Sequence, residues 1–111
     1  MRMWMVNPRI MCRQHLLGEH AEIHLFIKTI SRGNSVEGYL EKRLLEIHNL
    51  YDRHEELVEE MKRRGYRHNS DLDKKWRQTE RSGYVDRKKS LQQLINRCPR
   101  CRERHERIYK R

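Results

Sequence analysis

Apolar side chains recur at intervals of three and four residues between positions 47 and 61, and this spacing constrains the fold more than any other feature. The repeating positions are Ile47, Leu50, Tyr51, His54, Leu57, Val58 and Met61. They fall on one face of a helix. On the other face, Glu59 and Glu60 each precede an arginine by four residues, an orientation that supports an isolated helix. The pattern predicts a helix that ends at Gly65, just after basic residues that complement the helix dipole.

The residues before this helix predict another amphipathic helix and a region that is harder to assign. We expect a first helix from Pro8 or Cys12 to about Arg32, because Gly33-Asn34-Ser35 is typical of a helix stop. Its aliphatic stripe comprises Leu16, Ile23, Ile27 and Ile30. Residues 36–46 fit either a loop or a short helix, since Gly38 weakens the helical pattern.

The residues after position 65 predict a long basic loop and then a third helix. Loops as long as 66–85 are usually functional or mobile in small domains. Within it, Trp76 can stack on a nucleic-acid base or cover the core. The third helix should start near Asp86, and Pro99 breaks it and can start a further turn or helix. The chain is therefore predicted to be all-α: a compact single domain, residues 1–111, of three main helices with a long basic loop between helices two and three.

The charge of the chain points to a polyanionic partner. The formal net charge is +10, and residues 69–111 hold 14 Lys and Arg against 6 Asp and Glu. A basic segment on a nearly neutral scaffold is typical of nucleic-acid binding, although a solvated charged surface has the same composition. No stretch approaches the roughly 20 apolar residues of a membrane span, and the start of the chain lacks a signal-peptide pattern. Three cysteines, two of them in a Cys-x-x-Cys, favour a reducing compartment over a disulfide framework.

Two groups of residues have the spacing of metal ligands. His20 and His24 are four residues apart but have no obvious third ligand. Cys98 and Cys101, followed by His105, have zinc-knuckle spacing, with Cys12 as a fourth candidate. Because only one such half-site exists, the signal for zinc is weak. A Cys98 in the core and a Cys101 near the surface would have the same spacing, so a structural zinc at these residues stays open.

Residues 12–24 combine carboxylates and imidazoles near the start of the chain. On a helix, His15, Glu19 and Glu22 fall within roughly 60° of one another. Two neighbouring carboxylates tend to raise one pKa, which makes a usable proton carrier, whereas two solvated glutamates would have no such role. An α-amine has a pKa of about 7.7–8.0, against about 10.4 for lysine, so an N-terminal amine is the better nucleophile at neutral pH. A leader folded onto the first helix would place this amine beside Glu22.

Gln14-His15-Leu16, followed by Glu19 and Glu22, resembles the first helix of the pyrimidine-dimer DNA glycosylase family, to which the phage endonuclease V belongs. Arg2 and the segment Lys62-Arg63-Arg64-Gly65-Tyr66 resemble the same family. The resemblance covers most of residues 1–72 and is patchy beyond, and the chain looks like a shorter branch.

The resemblance implies a DNA repair glycosylase with AP-lyase activity on pyrimidine dimers of the kind that ultraviolet light forms. In this activity the α-amine of Met1 would attack the sugar C1′, the base would leave, and β-elimination from the resulting imine would nick the strand. Glu22 would handle the protons, and the resemblance implies that the chemistry needs no metal and no cofactor. Expected DNA contacts are Arg2, Arg13, Gln14, His15, Arg67, Lys74, Lys75 and Arg77. Ala21 and Leu25 stand where the family has DNA-gripping arginines, which leaves the preferred lesion open.

We therefore expect damaged double-stranded DNA as the partner, a monomer with no membrane association, and a cytoplasmic location, either nucleoid-associated or that of a phage- or virus-encoded protein. The alternative is a non-catalytic basic module that binds nucleic acid, with zinc at the C-terminal Cys-x-x-Cys as an optional stabiliser. The two differ in whether the protein forms a covalent bond with damaged DNA.

Overall fold

The computed structural model describes residues 1–109, in which helices are the only extended regular structure. The five α-helices are α1 (Arg13–Ser31), α2 (Glu37–Glu41), α3 (Leu50–Arg63), α4 (Arg87–Arg97) and α5 (Pro99–Tyr109). Short 3-10 helices span Pro8–Ile10, Ile47–Asn49 and Lys74–Arg77. The all-α prediction is confirmed. The prediction of three main helices is wrong, because α1, α3, α4 and α5 are each at least 11 residues long.

The extra long helix begins at Pro99. A proline suits the first position of a helix, because the N–H that it lacks has no intrahelical partner there and its φ is already helical. Cys98 before it is extended, with φ −114° and ψ 108°, as the residue before a proline prefers to be. Pro99 therefore ends α4 and starts α5 in one step.

The start of α1 is set by Cys12, whose Sγ accepts a hydrogen bond from the His15 N–H. Pro8 begins a separate 3-10 helix instead. Residues 36–46 contain the short helix α2, and Gly65, at φ +80°, follows the end of α3. In residues 1–109, no helix combines the length and the apolar character that crossing a membrane would need.

One cluster of buried apolar side chains connects the N-terminal leader with the helices. Its members include Met3, Trp4, Ile10, Met11, Leu16, Ile23, Phe26, Leu50, Leu57, Leu94 and Cys101. Of the stripe predicted on α1, Leu16 and Ile23 are fully buried, whereas Ile27 and Ile30 pack at the edge of the cluster. Trp76 is 9% exposed, so it packs against the protein and does not stand free to stack on a base.

The basic loop returns to the core at Gly83. This residue has φ +93°, and a Cβ there would lie 2.1 Å from the Leu45 carbonyl oxygen, so only glycine fits. Next to this close approach, the buried Glu46 carboxylate accepts hydrogen bonds from the Val85 N–H at 2.6 Å and from the Arg87 guanidinium. These contacts fix the end of the loop and the start of α4.

Candidate functional site

Hydrogen bonds to the backbone of the N-terminal leader hold it against the rest of the fold. The Met3 N–H donates to the Leu44 carbonyl at 2.8 Å. The Trp4 carbonyl accepts a hydrogen bond from the Ser90 hydroxyl. The Val6 carbonyl accepts one from Arg53 at 2.7 Å. These anchors bring the first residue of the chain alongside α1.

The α-amino nitrogen of Met1 lies 3.9 Å from Glu22 Oε1. The Glu22 side chain is 29% exposed. Burial raises the pKa of its carboxyl, while the charged N-terminus and the Arg2 backbone partly offset that rise. Glu19, one turn earlier, adds only a smaller upward contribution. The sequence predicts that two neighbouring carboxylates raise one pKa. The pKa of Glu22 is indeed raised, but mainly by burial.

A groove of about 400 Å³ surrounds the amine and the carboxylate. Its walls are formed by Met1, Arg2, Trp4, Gln14, His15, Gly18, Glu19, Glu22 and Arg97. Gly18 lies one turn from both Gln14 and Glu22, and a Cβ built on it would meet nothing within 4 Å. The absence of a side chain at this position therefore keeps the floor of the groove open.

Two arginines give one wall of the groove a positive charge. The Arg2 guanidinium lies 3.9 Å from the centre of the Trp4 ring and donates to Gln93 at 2.8 Å and Ser90 at 3.0 Å. The Arg97 guanidinium lies 5.8 Å from the centre of the same ring. Sequence reasoning missed Arg97 as a site residue, because it belongs to α4 and only the tertiary fold brings it to the N-terminus.

The predicted DNA contacts do not form one surface patch around the groove. Arg2, Gln14 and His15 line the groove. The Arg13 guanidinium lies over the ring of Tyr66, 5.1 Å from its centre. The remaining four predicted contacts are exposed on the basic loop and are not part of the groove wall: Arg67, Lys74, Lys75 and Arg77.

The His15 ring also faces three cysteines. Its Nδ1 lies 3.2 Å from Cys12 Sγ and 3.7 Å from Cys101 Sγ. Cys12 Sγ is 3.9 Å from Cys98 Sγ, and all three cysteines are free. Burial raises the pKa of the Cys101 thiol to about 12. His105, the ligand that the spacing suggested, instead has its ring 4.9 Å from that of Tyr109.

Four histidines form a second cluster between α1, α3 and the following loop: His20, His24, His54 and His68. Burial, together with the neighbouring imidazoles, lowers the pKa of His20 to about 4, and burial lowers that of His24. Helical spacing placed His20 and His24 on one face, and His54 sits on the predicted apolar stripe of α3. His68 lies in an irregular segment, where periodicity carries no signal.

The groove therefore brings together an amine, a carboxylate and a positively charged wall. A family model described as pyrimidine dimer DNA glycosylase matches residues 1–74. That match spans about two thirds of the chain, and the chain belongs to this family. The family predicted from the sequence is confirmed, and it makes the protein a DNA repair glycosylase in general terms, with DNA as its substrate. No curated protein and no solved structure gave a match.

Proposed function

We propose that the chain cleaves the glycosidic bond at a pyrimidine dimer with its N-terminal amine and then nicks the strand as an AP lyase. The observation that carries this proposal is the 3.9 Å separation between the Met1 nitrogen and Glu22 Oε1. A nucleophilic amine must lose a proton before it attacks, and a carboxylate 3.9 Å away can accept that proton through one bridging water or after a small side-chain movement.

The proposed reaction begins when the unprotonated Met1 amine attacks C1′ of the damaged nucleotide. A C1′–N bond forms as the bond to the base breaks, and the base leaves with that electron pair. Glu22 passes the proton that it accepted to the departing base, and transfer of a second proton from the nitrogen to the ring oxygen O4′ opens the sugar. The product is a protonated imine, which the restored negative charge of Glu22 stabilises. Removal of a C2′ proton then expels the 3′ phosphate by β-elimination, and hydrolysis of the imine frees the amine.

Burial suits Glu22 to this role. A carboxylate whose pKa is raised accepts a proton more readily than an ordinary glutamate does. A fully solvated glutamate at the same place would be a weaker base and would stabilise the cationic imine less, since water screens its charge.

The groove and the basic loop support DNA as the substrate. Enzymes that act on a nucleotide within a duplex must distort or flip it, and this costs least at a damaged site. Arg2 and Arg97, which line the groove, offer positive charge for the phosphates of the displaced nucleotide. Exposed cations on the basic loop would add salt-dependent contacts with phosphates. We further propose double-stranded DNA as the substrate, a monomeric protein and an intracellular location, which fits three free thiols.

The test incubates the protein with an ultraviolet-irradiated duplex and an undamaged duplex of the same sequence, with and without borohydride. We expect nicking of the irradiated strand only and, with borohydride, a covalent protein–DNA adduct, because reduction fixes the imine. Salt-sensitive binding of both duplexes with neither nicking nor adduct would contradict the proposal and favour a non-catalytic basic module.

A further inference from the structure

We propose that Cys12, His15, Cys98 and Cys101 bind one zinc ion. Their ligand atoms all lie within 4.8 Å of one another. A tetrahedral zinc with usual bond lengths separates two sulfur ligands by about 3.8 Å and a sulfur from a nitrogen by about 3.6 Å. The corresponding distances are 3.9 Å between Cys12 and Cys98, and 3.7 Å between Cys101 and His15. Three thiols and one imidazole form a common structural zinc set.

Backbone N–H groups already point at these sulfurs. The Cys12 N–H donates to Cys101 Sγ at 3.2 Å, and the Cys101 N–H donates to Cys98 Sγ at 3.4 Å. Such donors stabilise zinc-bound thiolates and orient them. Zinc deprotonates a coordinating thiol, so the high pKa of Cys101 does not prevent binding.

This zinc would join the start of α1 to the junction of α4 and α5. Cys98 and Cys101 lie beyond the part of the chain that matches the family, residues 1–74. Arg97 precedes Cys98 directly, and Gln14 precedes His15. The ion would therefore fix the relative positions of Gln14 and Arg97, which line the groove next to two of the ligands. It would also attach the C-terminal helices to the site.

A different observation leads us to infer a second metal site at His20, His24, His54 and His68. The Nε2 atoms of His20 and His24 each lie 3.1 Å from His54 Nε2. Four imidazoles around a tetrahedral zinc place their nitrogens about 3.3 Å apart. The His68 Nε2 is buried and has no hydrogen-bond partner within residues 1–109. A bound cation would satisfy all of these nitrogens.

Carboxylates stand behind two of the imidazoles. His54 Nδ1 lies 3.0 Å from Glu55 Oε1, and His68 Nδ1 lies 3.7 Å from Asp71 Oδ1. A proton on Nδ1 that faces a carboxylate leaves the Nε2 lone pair free for a metal, an arrangement common around protein-bound zinc. Without a metal, the unprotonated Nε2 of His54 would face the Ser70 carbonyl oxygen at 3.1 Å. Both atoms are hydrogen-bond acceptors, so neither would satisfy the other.

Measuring the zinc content of variants tests each of the two sites separately. Neither site contains Met1 or Glu22, so the measurement does not depend on the proposed catalytic residues. Protein without a histidine tag, purified without chelators and under reducing conditions, should contain two zinc ions per chain by elemental mass spectrometry. The Cys98→Ser/Cys101→Ser variant and the His54→Asn variant should each retain one, and the matched control His105→Ala should retain two. Because the count does not depend on catalysis, an inactive protein with two zinc ions would contradict only the proposed function.

Cobalt substitution of the unmodified protein gives a readout that does not require the variants to fold. A thiolate-to-cobalt charge-transfer band is expected from the cysteine site, and its absence would overturn that site. The histidine site would be overturned if the protein held one zinc ion per chain, bound at the cysteines, and His54→Asn left that ratio unchanged.

Discussion

Glu19 and Arg53 form a buried two-point ion pair that joins α1 to α3. Arg53 Nε and Nη2 donate to the two carboxylate oxygens at 2.7 and 2.9 Å, and both residues are at most 2% exposed. Arg53 also donates to the Val6 carbonyl in the leader. The pair therefore positions α1 and the leader together, and with them Glu22 and the Met1 amine.

Replacing Glu19 should destabilise the fold severely. In Glu19→Ala, the buried Arg53 guanidinium loses its main partner, and breaking a buried ion pair costs about 3–5 kcal/mol. Urea denaturation should show this loss in the free energy of unfolding. The exposed Glu59→Ala on α3 is the control and should change it by less than about 0.5 kcal/mol. A loss below about 1 kcal/mol for Glu19→Ala would show that Arg53 finds another partner.

Glu22→Gln should abolish nicking without weakening the fold. We expect a loss of at least about 100-fold in nicking rate, since a positioned proton carrier contributes about 10²–10⁴. DNA binding should stay within a few fold of the original. Because burial disfavours the charged form of Glu22, an uncharged amide should leave the melting temperature unchanged or slightly higher.

The control for this variant is Glu41→Gln, which removes an exposed carboxylate at the end of α2. It has the same effect on net charge and should nick at the original rate. Equal rates for Glu22→Gln and Glu41→Gln would remove Glu22 from the mechanism.

Gly18 offers a way to close the groove without disturbing the core. Gly18→Ala should stabilise α1 by about 0.5–1 kcal/mol, because glycine is a poor helix former and the added Cβ meets nothing within 4 Å. Gly18→Trp should project a ring into the groove and lower nicking by at least about tenfold, with a melting temperature close to the original. Full activity in Gly18→Trp would place the nucleotide elsewhere.

The Glu46 carboxylate should make the free energy of unfolding depend on pH in the acid range. Burial favours the neutral form, but hydrogen bonds from Arg87, Val85 and Asn49 outweigh it and lower the pKa below the usual 4.5. The stabilisation is therefore fully present above about pH 4.5 and is lost as the pH falls through the lowered pKa. Glu46→Gln should lose about 1–3 kcal/mol at pH 7. The difference from the original protein should shrink below pH 4.5, and a gap that stays constant down to pH 2 would exclude this origin.

Periodicity predicted the parts of the fold in which one helix face is buried. The spacing from Ile47 to Met61 places α3 correctly, apart from a 3-10 turn at its start, and the Gly65 stop follows Arg63 closely. The proline at position 99 was ambiguous, because the same residue ends one helix and favours the start of another. This ambiguity accounts for the missed fourth long helix.

Residue spacing predicted the site only where it depends on neighbours along one helix, whereas the approach of Met1 to Glu22 was expected from a leader folded onto α1 and from the family resemblance. Gln14, Gly18 and Glu22 share a face of α1, so their convergence follows from a spacing of four residues. The contributions of Arg97, Cys98 and His68 depend on how distant segments pack, and their local sequence does not encode that. Spacing pointed to His105 as the imidazole near the cysteines, because only the tertiary fold brings His15 within 3.7 Å of Cys101.

Identifying the atom of the protein that becomes covalently attached to DNA tests the proposed mechanism most directly. Protein whose intact mass shows that it begins at Met1 is trapped with borohydride on the irradiated duplex, digested with trypsin and nuclease, and sequenced by mass spectrometry. We predict the sugar remnant on the α-nitrogen of Met1, and no adduct in protein with an acetylated or extended N-terminus. Attachment to a lysine side chain, or trapping that survives blockage of the terminus, would contradict the account.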